Sequence, residues 1–260
     1  MVELLEGGAT RAEGQVMSSD RLSTPWREIG FAVLILALSG LFALFFRLAA
    51  DGAFKIARWG VVEASPTLVL LLSTLPAELF CVLMVIARAR HLNGNDYRLC
   101  LAAGPIRRSH LFALMIAVQI MAIVWYGAHE LVSPEYAHSL PRRWHGPLIA
   151  AASEGPLLLV GYLFSSIILA PVSEELMFRG WLWTELSRRW GPWPTGMITS
   201  IFWLMLHFDY GVSGVFHLLP SAVALSLVRY YTGSVRATIA LHMLNNARIQ
   251  VLNILPFLIK

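Results

Sequence analysis

Uninterrupted apolar runs, separated by short polar stretches rich in arginine, glycine and proline, dominate the chain. A helix needs about 20 residues to cross the hydrocarbon core of a bilayer. Seven runs near that length occur, from Ile29 to Phe46, Thr67 to Ala87, Leu111 to Gly127, Pro156 to Leu176, Gly196 to Gly211, Val215 to Val228 and Thr238 to Leu255. The fifth and sixth are short, so the expected count is about seven, within a range of about six to eight. None alternates apolar and polar positions as barrel strands do, and backbone groups in lipid must be bonded within a helix or a closed barrel. The expected fold class is therefore all-α, a polytopic transmembrane helical bundle.

The polar stretches divide the chain into parts. Residues 1–27 lack the apolar segment of a cleavable signal and read as a disordered cytosolic tail. Residues 28–128 read as N-terminal transmembrane helices, and 150–260 as the region that carries the chemistry. The longest connection, Ala128 to Gly155, holds His129, Glu130, Pro134, Arg142 and Arg143 and is expected outside the membrane. Trp181 to Trp193, with Arg188 and Arg189, reads as a short amphipathic helix lying on the cytoplasmic interface and ended by Pro192 and Pro194.

Composition supports this reading. Of the 260 residues 57% are hydrophobic and 14% charged, well away from soluble-domain averages, which excludes a soluble enzyme. Only two cysteines are present, too few for a disulfide scaffold. The net charge of +4 does not indicate nucleic acid, because the basic residues fall between apolar runs and so set topology. With seven spans, 13 arginines from Arg11 to Arg236 collect on one side, against six basic residues, Arg47, Lys55, Arg58, Arg142, Arg143 and Lys260, on the other. The expectation is an integral protein of a prokaryotic inner membrane with its N-terminus in the cytoplasm.

Ionisable groups inside lipid are costly and mark function. The fourth run ends in APVSEELMFRGWLW, with Glu174 and Glu175 adjacent and Arg179 following; the fifth holds His207, and the seventh His242 and Asn246. Residues four apart share a helix face, so Glu175 reaches Arg179 while Glu174 points about 100° away. Counted from the cytoplasmic ends at 1.5 Å per residue, His242 lies at a depth of about 8 Å and His207 at about 16 Å. Three helices would thus converge on a shallow polar pocket facing the cytoplasm. His217 is read as an interhelical hydrogen-bond partner, Asn245 as packing glue, and Glu78 as a partner for backbone freed by Pro76.

Taken together, these residues resemble the intramembrane CAAX-prenyl-protease and bacteriocin-processing family, also called CPBP or Abi-type. Its pattern is EExxxR, then FxxxH, then HxxxN. Glu174, Glu175 and Arg179 match the first element, His207 the second, and His242 with Asn246 the third. Trp203 stands where the family has phenylalanine, a departure expected to touch pocket shape rather than chemistry. The resemblance covers about residues 150 to 250.

The resemblance implies peptide-bond hydrolysis in the membrane, on a peptide or protein substrate with or without a lipid anchor. Glu174 would act as general base for water, His207 would hold that water, and His242 with Asn246 would stabilise the oxyanion. Glu175 and Arg179 would orient the motif helix. No cofactor is expected. Zinc on Glu174, His207 and His242 is the second choice, although the HExxH spacing of zinc helices is missing. A non-catalytic scaffold or immunity protein of the same fold is the alternative, and a proton-coupled transporter a further one that finds no inverted repeat in the sequence.

Overall fold

The computed structural model describes residues 24–57, 65–94, 108–132 and 146–258. Most of the expected N-terminal tail and the middle of the Ala128 to Gly155 connection lie outside these residues. Eight helices are described: α1 Pro25–Ala57, α2 Pro66–Asn93, α3 Arg108–Val132, α4 over 146–154, α5 Pro156–Trp190, α6 Pro192–Met205, α7 Gly211–Thr232 and α8 Val235–Leu258. A 3-10 turn, Phe208–Tyr210, leads into α7. Among the described residues there is no strand.

Local chemistry sets the helix ends. Ser65 caps α2, its Oγ accepting from the Leu68 N–H at 3.0 Å, and Pro66 opens the first turn, where its missing N–H costs nothing. Gly191 stands at φ 75° and Gly233 at φ 62°, left-handed positions that allow the tight reversals from α5 to α6 and from α7 to α8. Pro192 therefore begins α6 rather than ending the preceding helix.

Five helical segments are long and apolar enough to cross a bilayer: Pro25–Ala53, Pro66–Asn93, Phe112–His129, Pro156–Trp190 and Phe208–Thr232. The chain is an integral membrane protein with an all-α fold. The fifth and seventh apolar runs also form helices, but α6 has only 14 residues and α8 carries a polar face.

Helix directions follow from the contacts. Arg88 donates to Glu28 at 2.5 Å and 3.1 Å, pairing the start of α1 with the end of α2. Trp26 meets Trp190, and Asn93 donates to Glu185. At the opposite end, the Glu154 carboxylate of α4 accepts from Ser65 Oγ and from the Thr67 N–H. The bundle thus has an arginine-rich end, with Arg27, Arg88, Arg188 and Arg229, and an opposite end with α4 and the start of α7.

The segment from Trp181 to Trp193 differs from expectation. Trp181, Leu182 and Leu186 are fully buried, and the helix runs on from Pro156 without a break. Its apolar face packs on protein rather than on headgroups, and Arg188 bonds Glu185 and Asn93. With Met177, Phe178 and Val235 these residues belong to one buried hydrophobic cluster.

Candidate active site

The paired glutamates sit between two irregular turns of α5. Ser165–Leu169 and Leu176–Leu182 are π-helical, and Ala170–Glu175 between them is α-helical. Such insertions rotate the following residues and occur often at functional sites.

Glu175 and Arg179 are completely buried and joined at 3.1 Å. Arg179 also donates to the Ala222 carbonyl of α7, and Arg229 Nε donates to the Arg179 carbonyl at 2.7 Å. A buried carboxylate beside a guanidinium only accepts, so His242 Nδ1, 3.0 Å from Glu175 Oε1, carries the hydrogen of that contact. Glu175 therefore does more than hold the end of its helix. It fixes the ring of His242 and leaves Nε2 turned towards Glu174, 3.9 Å from Oε2.

Glu174 is partly exposed to the cavity. Trp203 Nε1 donates to its Oε2 at 2.5 Å. The expectation for Trp203 is thus corrected: the indole N–H, which phenylalanine lacks, binds the proposed base directly. Trp203 is buried, and its ring lies 4.5 Å from His207, 5.5 Å from His242 and 5.6 Å from the Arg179 guanidinium carbon. Its position four residues before His207, on one helix face, was the available sequence signal.

His207 lies beyond the end of α6, with φ −103° and ψ 17°, rather than inside a span. Its Nδ1 meets the Trp203 carbonyl oxygen at 2.9 Å, and since a carbonyl only accepts, the neutral ring keeps its lone pair on Nε2. Asn246 Nδ2 donates to the Ser166 carbonyl at 2.9 Å, within the first π-helical turn. That bond uses one of the two amide hydrogens.

Glu174, His207, His242 and Asn246 all line one cavity of about 440 Å³. Its wall continues through Leu70, Pro147, Tyr210 and Asn253, all towards the α4 end. Along α8 the lining spans His242 to Asn253, about 16 Å at 1.5 Å per residue. The other end is closed by Phe178, Trp181 and Leu182. The expected pocket facing the arginine-rich side is therefore corrected: the motif residues lie at the floor of a cavity that extends the opposite way. Sequence depths counted along single helices cannot register which end the large side chains plug.

Glu78, His217 and Arg248 also find partners. Glu78 accepts from Ser165 Oγ at 3.1 Å instead of bonding backbone near Pro76, and it lines the same cavity. His217 bonds the Ser213 carbonyl in its own helix and sets its ring against Tyr126 and His129 of α3. Arg248 donates to Asn245 at 3.0 Å.

Among the described residues, no three His, Cys, Asp or Glu groups are placed to hold a metal ion, and Glu174, His207 and His242 do not form such a set as they stand.

Residues 156–248 match the family model described as type II CAAX prenyl endopeptidase, Rce1-like. Over this segment the chain is similar to the CPBP/CAAX protease family. No curated protein and no solved structure shows significant similarity to the chain. The matched segment comprises α5, α6, α7 and the first part of α8, and it holds all six motif residues. Glu78, Gln250 and Asn253, which share the cavity, lie outside it.

Proposed function

We propose that the chain hydrolyses a peptide bond of a membrane-embedded or membrane-anchored substrate, using a water that Glu174 activates without a metal. The observation that carries this reading is a carboxylate and an imidazole Nε2, 3.9 Å apart, on the floor of a cavity buried against the matched segment. Lone ionisable groups are too costly in such a place to be kept for packing.

In this reading a water sits between Glu174 and the Nε2 lone pair of His207. Glu174 takes one of its protons while the oxygen bonds to the scissile carbon. The carbonyl oxygen becomes an oxyanion, which accepts from the free amide hydrogen of Asn246 and from Nε2–H of His242, a ring that enters the cycle as the imidazolium between Glu174 and Glu175 and leaves it unchanged. Glu175, already bonded to Nδ1, supports the charged ring. Collapse breaks the carbon–nitrogen bond, and the proton held by Glu174 passes to the leaving amine. Atoms and charge balance without a further reactant.

Leu70, Leu71, Leu218 and Ile249 give the cavity apolar walls beside its polar floor, which suits a substrate carrying a lipid as well as an unmodified one. With the N-terminus in the cytoplasm of a prokaryotic cell, as the arginine distribution favours, the cavity extends towards the outer leaflet. The test is cleavage by the purified chain in lipid nanodiscs after exhaustive chelation. Persistent cleavage that Glu174→Ala abolishes supports the reading. Cleavage lost on chelation and restored by zinc contradicts it, and partner binding with no cleavage at all marks a non-catalytic scaffold.

A further inference from the structure

Beyond the matched family segment, α8 continues its polar face for two more turns. Asn246, Gln250 and Asn253 stand at spacings of four and three, so they share the face that begins with His242 and all line the cavity. Two of these amides hold groups without a partner. Asn253 is only 6% exposed, and its Nδ2 has no hydrogen-bond partner; neither has the buried Oε1 of Gln250. Gln250 Nε2 reaches Tyr162 Oη and Ser166 Oγ only at 3.5 Å and 3.4 Å.

A buried amide left unbonded costs about 1–3 kcal/mol, so such groups call for an explanation. Here an acceptor at 250 and a donor at 253 are separated by a helical rise of about 4.5 Å. That pair complements the N–H and C=O that one residue of an extended peptide offers on the same edge. From Asn246 to Asn253 the rise is about 10 Å, the length of about three extended residues. Among the described residues that line the cavity none is Lys or Arg, and the fit of the amide pair is to peptide main chain running through it.

We propose that Gln250 and Asn253 form a main-chain subsite that holds an extended stretch of substrate between the scissile bond and the cavity's far end. The subsite rests on the protease reading for its purpose, but its test does not require cleavage. The probe is a pool of random dodecapeptides with a central cysteine, free or S-farnesylated, and a matching pool with N-methylated peptide bonds. Each is applied to the full chain carrying Glu174→Gln in nanodiscs, and retained peptides are quantified by mass spectrometry.

Adding Asn253→Leu or Gln250→Leu is expected to lower retention about tenfold, the loss of one hydrogen bond in a dry site. Val251→Ala, at a residue 58% exposed, should leave retention unchanged. N-methylation should weaken binding to the parent and have much less effect once Asn253 is replaced. If Asn253→Leu lowers the melting temperature, Asn253→Ser carries the same comparison. Equal retention by parent and variants, an N-methyl penalty that survives both substitutions, or no retention by the parent overturns the subsite. Retained peptides that the wild-type chain never cuts leave the subsite standing and remove the protease reading instead.

Discussion

Trp203 donates its indole N–H to the Glu174 carboxylate at 2.5 Å, placing an aromatic residue of α6 in direct contact with the proposed base on α5. The indole fixes one oxygen of a carboxylate that lines the cavity. Trp203→Phe keeps most of the ring and deletes only the donor. The expected outcome is a fall in kcat of about tenfold with KM little changed, the scale of one hydrogen bond to a charged group. Steady-state kinetics on any cleaved peptide check it, and an unchanged kcat would return Trp203 to a packing role.

Glu175 links Arg179 to His242, so stability and activity should separate there. Removing one partner of a buried ion pair strands the other charge, at a cost of about 3 kcal/mol or more. Glu175→Gln and Arg179→Met are each expected to lower the melting temperature sharply. The double variant should recover much of that stability, because no lone charge remains. It should not recover activity, since glutamine at 175 no longer supports a charged His242. Thermal melts and cleavage rates on the same four proteins test both halves.

Arg88 pairs with Glu28 and lies 3.8 Å from the Phe31 ring centroid, far along α2 from the cavity floor. Arg88→Met should destabilise the contact between α1 and α2 by a similar amount, about 3 kcal/mol, and leave kcat of the folded protein unchanged. A change in kcat at full folding would mean that α1 couples to the site.

The direction of the cavity is open to labelling. In a chain with Cys81 and Cys100 replaced by serine, Asn253→Cys is expected to react with a membrane-impermeant thiol reagent only from the side opposite the N-terminus. Arg90→Cys, at the arginine-rich end, should react from the N-terminal side. Labelling of both from one face would contradict the helix directions described above.

Much of the bundle was legible in the sequence because long apolar runs have few physical outcomes in lipid. The spacing of Glu175 and Arg179 gave their ion pair directly, for residues four apart meet on one helix. The contact from Glu175 to His242 was not legible, since it joins residues 67 positions apart through helix packing. Nor was the role of Trp203, because a residue pattern records an aromatic place and not the reach of an indole N–H. The continuation of α5 to Trp190 was missed for a related reason. A face of Trp181, Leu182 and Leu186 beside arginines suits a membrane surface and a protein interior equally, and only the packed neighbours decide.

The central claim is that Glu174 activates the water that cuts the peptide. Its most direct test is the cleavage rate of Glu174→Gln against wild type in the same nanodiscs and on the same peptide, with folding matched by melting temperature. The account predicts a loss of at least about a hundredfold, the contribution of a positioned general base. A Glu174→Gln protein that cuts at the wild-type rate would contradict it.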